Sequence, residues 1–109
     1  MFKKVYRLPP SVDFKNSSVY QTPFFTLKLS NNGKQNNRYG FIISKKIDKR
    51  AVVRNRTKRK VRFCIEKIND GMKKGYDMLF LIKKNAVTTF ADSICLEAES
   101  FFRKEGLLL

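Results

Sequence analysis

Two periods of hydrophobic recurrence run along the chain and mark out its elements. Phe25, Leu27 and Leu29 alternate with Phe24, Thr26 and Lys28, the two-residue period of a half-buried strand over 24–29. "RYGFIIS" at 38–44 reads as a second strand, apolar enough to sit centrally, and "YDMLFLIK" at 76–83 as a third, well-buried one. "NNGKQNN" at 31–37 is a turn-rich loop of the kind that joins a hairpin. Between the second and third strands the period becomes helical. Val53, Thr57, Val61, Cys64, Ile65 and Ile68 fall within an arc of roughly 120° at about 100° per residue. That predicts a helix over 51–69 with this stripe toward the core, ended by Asn69, Asp70 and Gly71. A last helix is predicted over 88–104, with Thr89 and Asp92 in capping-box spacing and Phe90, Ile94, Ala98 and Phe101 on its inner face. Ser11 can cap a short helix over 11–16, confined by Pro9 and Pro10 before it and "NSS" after it.

The pattern describes an α+β fold, a two-layer sandwich in which a small central sheet carries three helices. With 109 residues and no repeat or low-complexity linker, residues 1–109 form one domain. If the strands at 38–44 and 76–83 are parallel, the helix between them is a crossover, for which a right-handed path is the general rule.

Charge changes this picture more than composition does. The net charge is +15. Residues 1–62 carry 17 Lys and Arg against Asp13 and Asp48 alone, while residues 63–109 carry seven of each sign. "KRAVVRNRTKRKVR" at 49–62 holds eight basic side chains and no acid. Within the predicted helix, like charges meet at 54/58, 56/60, 58/62, 56/59 and 59/62, each costing about 0.2–0.5 kcal/mol. The five together cost roughly 1–2.5 kcal/mol, against a typical domain stability of about 5–15. A solvated face normally mixes signs, and a sign-pure face points to a polyanionic partner, nucleic acid first. Arginine's planar fork suits phosphate and base edges, and Asn55 between Arg54 and Arg56 adds directional hydrogen bonding.

These residues carry a resemblance. "SKKIDKRAVVRNRTKRKVR" is similar to the signature of the bacterial ribonuclease P protein subunit, and "RLPPSVDF", "GYDMLFLIKKNA" and the aromatic C-terminal helix resemble other parts of that family. The resemblance implies an accessory role in an RNA enzyme. The catalytic RNA cuts the 5′ leader from precursor tRNA using bound Mg²⁺, and the protein contributes no catalytic residue. It implies that Lys45, Lys46, Arg50, Arg54, Asn55, Arg56, Lys58, Arg59 and Arg62 dock on that RNA. It further implies that Phe14, with Phe25, belongs to a cleft between the first helix and the sheet that holds the single-stranded leader. Taken alone, Phe14 reads as an ordinary core aromatic. The family's crossover is left-handed, in a fold shared with a small-subunit ribosomal protein domain. Two departures stand out: "KNSSVY" reaches the first strand a few residues early, without the family's second cleft aromatic, and Leu27 stands where relatives often show Tyr.

Other functions fit the residues less well. The chain has no histidine for metal-free RNA cleavage, and Asp13, Asp48 and Asp77 are scattered in sequence, so the chain itself is not expected to be a nuclease. A DNA-binding helix-turn-helix lacks a closely packed preceding helix. A membrane-surface helix lacks a bulky aromatic stripe, and the runs "MLFLI" and "LLL" are too short to span a bilayer. A plain ribosomal-type RNA-binding protein remains compatible with the charge pattern. "MFKKVYRLPP" has no apolar run behind its lysines, so no secretory signal is expected. Cys64 and Cys95, without histidine, do not form ordinary zinc spacing, and a disulfide is not expected; both read as small buried apolar residues. The expected setting is the cytoplasm, and the free protein is expected to be a monomer.

Overall fold

The computed structural model describes residues 6–9, 12, 14 and 17–109. Strands β1 (Ser18–Gln21), β2 (Phe25–Asn31), β3 (Arg38–Ile42) and β4 (Tyr76–Ile82) form one sheet in the order β1-β2-β4-β3. Helices α1 (Ala51–Ile68), α2 (Asn85–Thr88) and α3 (Ala91–Lys104) accompany it. This is the mixed α+β architecture that the hydrophobic pattern predicts. The helix expected over 11–16 falls largely outside the described residues.

Strand pairing departs from the sequence reading in three places. β1 is a fourth strand, too short and too polar to show a period, and it pairs antiparallel with β2. The loop at 31–37 does not close a hairpin, because β4 inserts between β2 and β3, antiparallel to the first and parallel to the second. The apolar run Met78–Ile82 takes the central position because neighbours on both sides bury it. β3 is therefore an edge strand. Its open side is partly covered by the N-terminal segment, where Arg7 bridges Tyr39 and the Leu8 N–H donates to the Tyr39 carbonyl at 2.9 Å.

The core lies between one sheet face and the two long helices. The six residues of the predicted α1 stripe are the six that α1 buries. Val61 and Ile65 meet Phe25, Leu27, Met78 and Phe80 from the sheet and Ile94 and Phe102 from α3, all fully buried. Replacing Ile65 by alanine in such a core typically costs about 2–5 kcal/mol. The α3 face is rotated from the one predicted. Phe90 is the N-cap residue with extended backbone and is 85 % exposed, and Phe102 takes the inward position alongside Ile94 and Ala98. Phe101 is half-buried against Tyr20 and Phe25. Thr89 does not cap α3; its hydroxyl donates to the Asn85 carbonyl at 2.6 Å, closing α2 instead. At the far end Gly106 (φ +74) supplies the left-handed turn, with Gly106 N–H on the Arg103 carbonyl and Leu107 N–H on the Phe102 carbonyl.

Cys64 of α1 and Cys95 of α3 are joined as a disulfide, their Cα atoms 4.8 Å apart. This overturns the expectation of two separate apolar thiols: α3 packs directly on α1, and the pairing follows from that packing. A buried polar network ties the same C-terminal end of α1 to the sheet. Tyr39 donates its hydroxyl to Asn69 Oδ1 at 2.6 Å, and fully buried Asn37 donates to the Tyr39 oxygen and to the Lys73 carbonyl while accepting from the Tyr76 N–H. Burial pushes the Tyr39 phenol up to about 12, with the Asn37 hydrogen bond opposing and Tyr6 adding to the shift.

Candidate nucleic-acid interface

The α1 stripe faces the core, so the remaining positions of α1 must point elsewhere. Asn55, Arg56 and Arg59 are exposed, and Lys58 and Arg62 are half-buried at the margin of the helix. Upstream, Lys45, Lys46, Lys49 and Arg50 are exposed on the loop that leads from β3 into α1. Loop and helix together form one cationic surface. Of the basic residues predicted to dock RNA, Lys45, Lys46, Arg56, Lys58 and Arg59 make no side-chain hydrogen bond or ion pair among the described residues.

Three others are occupied. Arg54 Nη1 donates to the carbonyls of Asp48 at 3.0 Å and Lys49 at 2.8 Å, so it folds back on the loop. Arg50 pairs with Asp48 through Nε at 3.1 Å and Nη2 at 2.9 Å. The Arg62 guanidinium lies over the Phe41 ring, 5.6 Å from its centroid, and Phe41 in turn stacks on Phe80. Lys60, in the same basic run, donates to the carbonyls of Val87 at 3.1 Å and Thr89 at 2.8 Å. Burial and then the nearby Arg56 charge lower its pKa. Arg54, Lys60 and Arg62 thus hold the protein together, while Arg50, paired with Asp48, stays exposed on the loop, and sequence spacing could not separate these roles.

On the opposite face of the sheet a cavity of about 320 Å³ is lined by Leu8, Pro9, Val12 and Phe14 from the N-terminal segment and by Gly40, Phe41, Ile42 and Leu79 from β3 and β4. Its depth depends on Gly40: a Cβ there would stand 2.9 Å from Leu8 Cδ2 and 3.2 Å from Leu79 Cδ1. Phe14 belongs to this cleft. Phe25 does not. It is 0 % exposed on the helix-facing side, its ring 5.0 Å from that of Phe80 and 6.3 Å from that of Phe101. The alternation of β2 sends Phe25, Leu27 and Leu29 to that buried face. Leu27 is for the same reason no part of the cleft, and the Tyr-to-Leu departure does not bear on it.

Asp77 sits at the start of β4, gripped by Arg38 through two bonds of 2.7 Å and by Asn32 at 3.0 Å. Burial raises its pKa, but the hydrogen bonds from Arg38 and Asn32, with the charges of Arg38 and Lys34, outweigh that and leave it lowered. Among the described residues no three His, Cys, Asp or Glu side chains converge as a metal site, and no helix is long and apolar enough to cross a membrane.

The protein thus carries a long basic helix behind a lysine loop, packed on a four-stranded sheet with an N-terminal cleft. The family model described as Ribonuclease P matches residues 2–106. The chain belongs to the ribonuclease P protein family. It is similar to the ribonuclease P protein component of Caldanaerobacter subterraneus, 34 % identical over 87 residues that cover 76 % of this chain and 74 % of the relative. The ribonuclease P protein component of Clostridium kluyveri is 31 % identical over 109 residues, covering 94 % and 96 %. The fold matches the Staphylococcus aureus RNase P protein with a TM-score of 0.82 over 97 % of this chain and 100 % of that one, at 22 % identity. The Thermotoga maritima RNase P protein gives 0.79 over 90 % and 96 %, also at 22 % identity. As a ribonuclease P protein component, the chain is a subunit of a tRNA-processing ribonuclease.

Proposed function

We propose that the chain acts as the accessory protein of a ribonucleoprotein, in which the loop at 44–50 and the outer face of α1 dock on the catalytic ribonuclease P RNA. One observation carries the reading: a densely cationic surface stays exposed on the side of α1 away from its core stripe, despite the repulsion it costs the free protein. Phosphates relieve that repulsion and release counterions. With six to eight contacts, the log–log salt slope of binding is roughly −4 to −7. Cleavage of precursor tRNA belongs to the RNA and the Mg²⁺ it carries, and the protein's part is to neutralise phosphate repulsion and to orient substrate. The cleft beside Phe14 is the proposed seat of the single-stranded 5′ leader. Without the family's second cleft aromatic, Phe14 offers a single stacking contact of about 1–3 kcal/mol, so leader contact is weaker here than in relatives that carry both rings. The free protein is proposed to be monomeric.

Reconstitution tests this reading. The protein is mixed with a catalytic RNA subunit at low Mg²⁺ and cleavage of precursor tRNA is measured, with protein alone expected to be inert. No stimulation across several cognate-like RNAs, together with binding to ribosomal RNA, would replace it with a ribosomal-type role. Leader contact is measured separately as precursor affinity against leader length. Strong dependence on the first several leader nucleotides would contradict a weakened cleft.

A further inference from the structure

Asp48 is an acid in the middle of a cationic surface, and the only other acid in the first 62 residues is Asp13. On charge alone it works against an RNA partner, because it cancels one cation and repels phosphate. Its contacts indicate what it does instead. Oδ1 accepts the Arg50 backbone N–H at 2.9 Å and Arg50 Nε at 3.1 Å, while Oδ2 accepts Arg50 Nη2 at 2.9 Å. The first bond closes an Asx turn just before α1, and the other two hold the guanidinium as a paired fork. The Arg50 hydrogen bonds, side chain first and then backbone, hold the Asp48 carboxyl down to about 2, so it is ionised throughout the working range.

Arg54 holds the same loop from inside the helix by donating to both the Asp48 and Lys49 carbonyls. Ser44 holds its upstream end: its carbonyl accepts the Ile47 N–H at 3.0 Å and its hydroxyl accepts the Lys46 N–H at 3.0 Å. We propose that Asp48 and Arg54 are positioning residues that pre-order the Ser44–Arg50 loop, so that Lys45, Lys46, Lys49 and Arg50 meet RNA phosphates without a further loss of chain entropy. The inference rests on the RNA-docking reading of this surface and assigns Arg54 a different task within it. A loop ordered before binding contributes affinity that a mobile one forfeits when it is fixed on the partner.

Two variants of equal charge separate geometry from electrostatics. Asp48→Asn removes the charge but keeps an Oδ1 acceptor for the Arg50 amide; Asp48→Ala removes both. Asp48→Ala is expected to bind the catalytic RNA at least about fivefold more weakly than Asp48→Asn, the factor one net hydrogen bond supplies. Amide hydrogen exchange at residues 45–50 of the free protein should be faster in Asp48→Ala than in Asp48→Asn. Arg54→Lys keeps the charge without the planar fork, and should weaken binding at an unchanged salt slope while speeding the same amides. Equal tightening of RNA binding in both Asp48 variants overturns the proposal, since that is what removing a misplaced negative charge does. Unchanged exchange in Asp48→Ala and Arg54→Lys overturns it as well. Wild-type protein that binds the RNA no better than an equally basic control overturns the docking reading and the loop's RNA role with it. The exchange rates would still report separately whether Asp48 and Arg54 order the loop.

Discussion

Arg59 and Lys60 are adjacent cations in one basic run, and the structure gives them opposite work. Arg59 is exposed and has no hydrogen bond or ion pair among the described residues, whereas the Lys60 amine sits on the carbonyls of Val87 and Thr89. Arg59→Ala should therefore remove one phosphate contact and nothing else. Its expected signature is a salt slope shallower by about 0.7–0.9 and an affinity roughly five- to tenfold lower at 0.1 M salt. Stability should stay within about 0.5 kcal/mol, as for an exposed side chain. Lys60→Met keeps the apolar stem and deletes both bonds between the α1 helix and the α2–α3 junction. Two charge-assisted bonds would suggest a larger loss, but burial and Arg56 already disfavour the Lys60 charge, and Val87 and Thr89 are themselves only half-buried. The net cost comes to about 1–2 kcal/mol, or roughly 5–10 °C in Tm. Fluorescence titration across a salt series and thermal unfolding of both variants provide the readout. A flattened salt slope with unchanged Tm in Lys60→Met would refute the assignment of these two residues to different faces.

Three further outcomes are expected. Asp77 has a lowered folded pKa, so its contribution is present above the unfolded carboxyl value near 4 and is lost as pH falls through the folded one. Tm should fall on acidification below about pH 4, with a shallower fall in Asp77→Asn; parallel profiles would remove Asp77 as a cause. Breaking the Cys64–Cys95 bond, which spans a sequence separation of 31, should cost about 3–4 kcal/mol and roughly 10–20 °C by the loop-entropy relation. Thiol titration of the unreduced, denatured protein that finds two free thiols would contradict the bond. Gly40→Ala should displace Leu8 from the sheet and cost about 1–3 kcal/mol. It should also reduce the affinity gained from a precursor leader while leaving leaderless tRNA unaffected, and an unchanged leader gain would detach this cleft from the leader.

What local chemistry could settle was already present in the chain. The six-residue stripe of α1, its end at Asn69–Gly71, the three longer strands and the concentration of charge before residue 63 depend on side-chain period and residue type, which neighbours do not alter. Tertiary structure decided whatever depends on what an element meets. β4 entered between β2 and β3 because the most apolar strand is stable only with a neighbour on each side, and no local signal in the loop at 31–37 encodes that. Phe25 and Phe14 are both aromatic in sequence, yet opposite sheet faces send one to the core and the other to a cleft. Cys64 and Cys95 became partners only through the packing of α3 on α1. The basic run carries its charge in its composition, but Arg54, Lys60 and Arg62 were drawn out of it by carbonyls and a ring that folding brought within reach. A charge is a property of the residue; its availability to a partner depends on which groups of the folded chain reach it first.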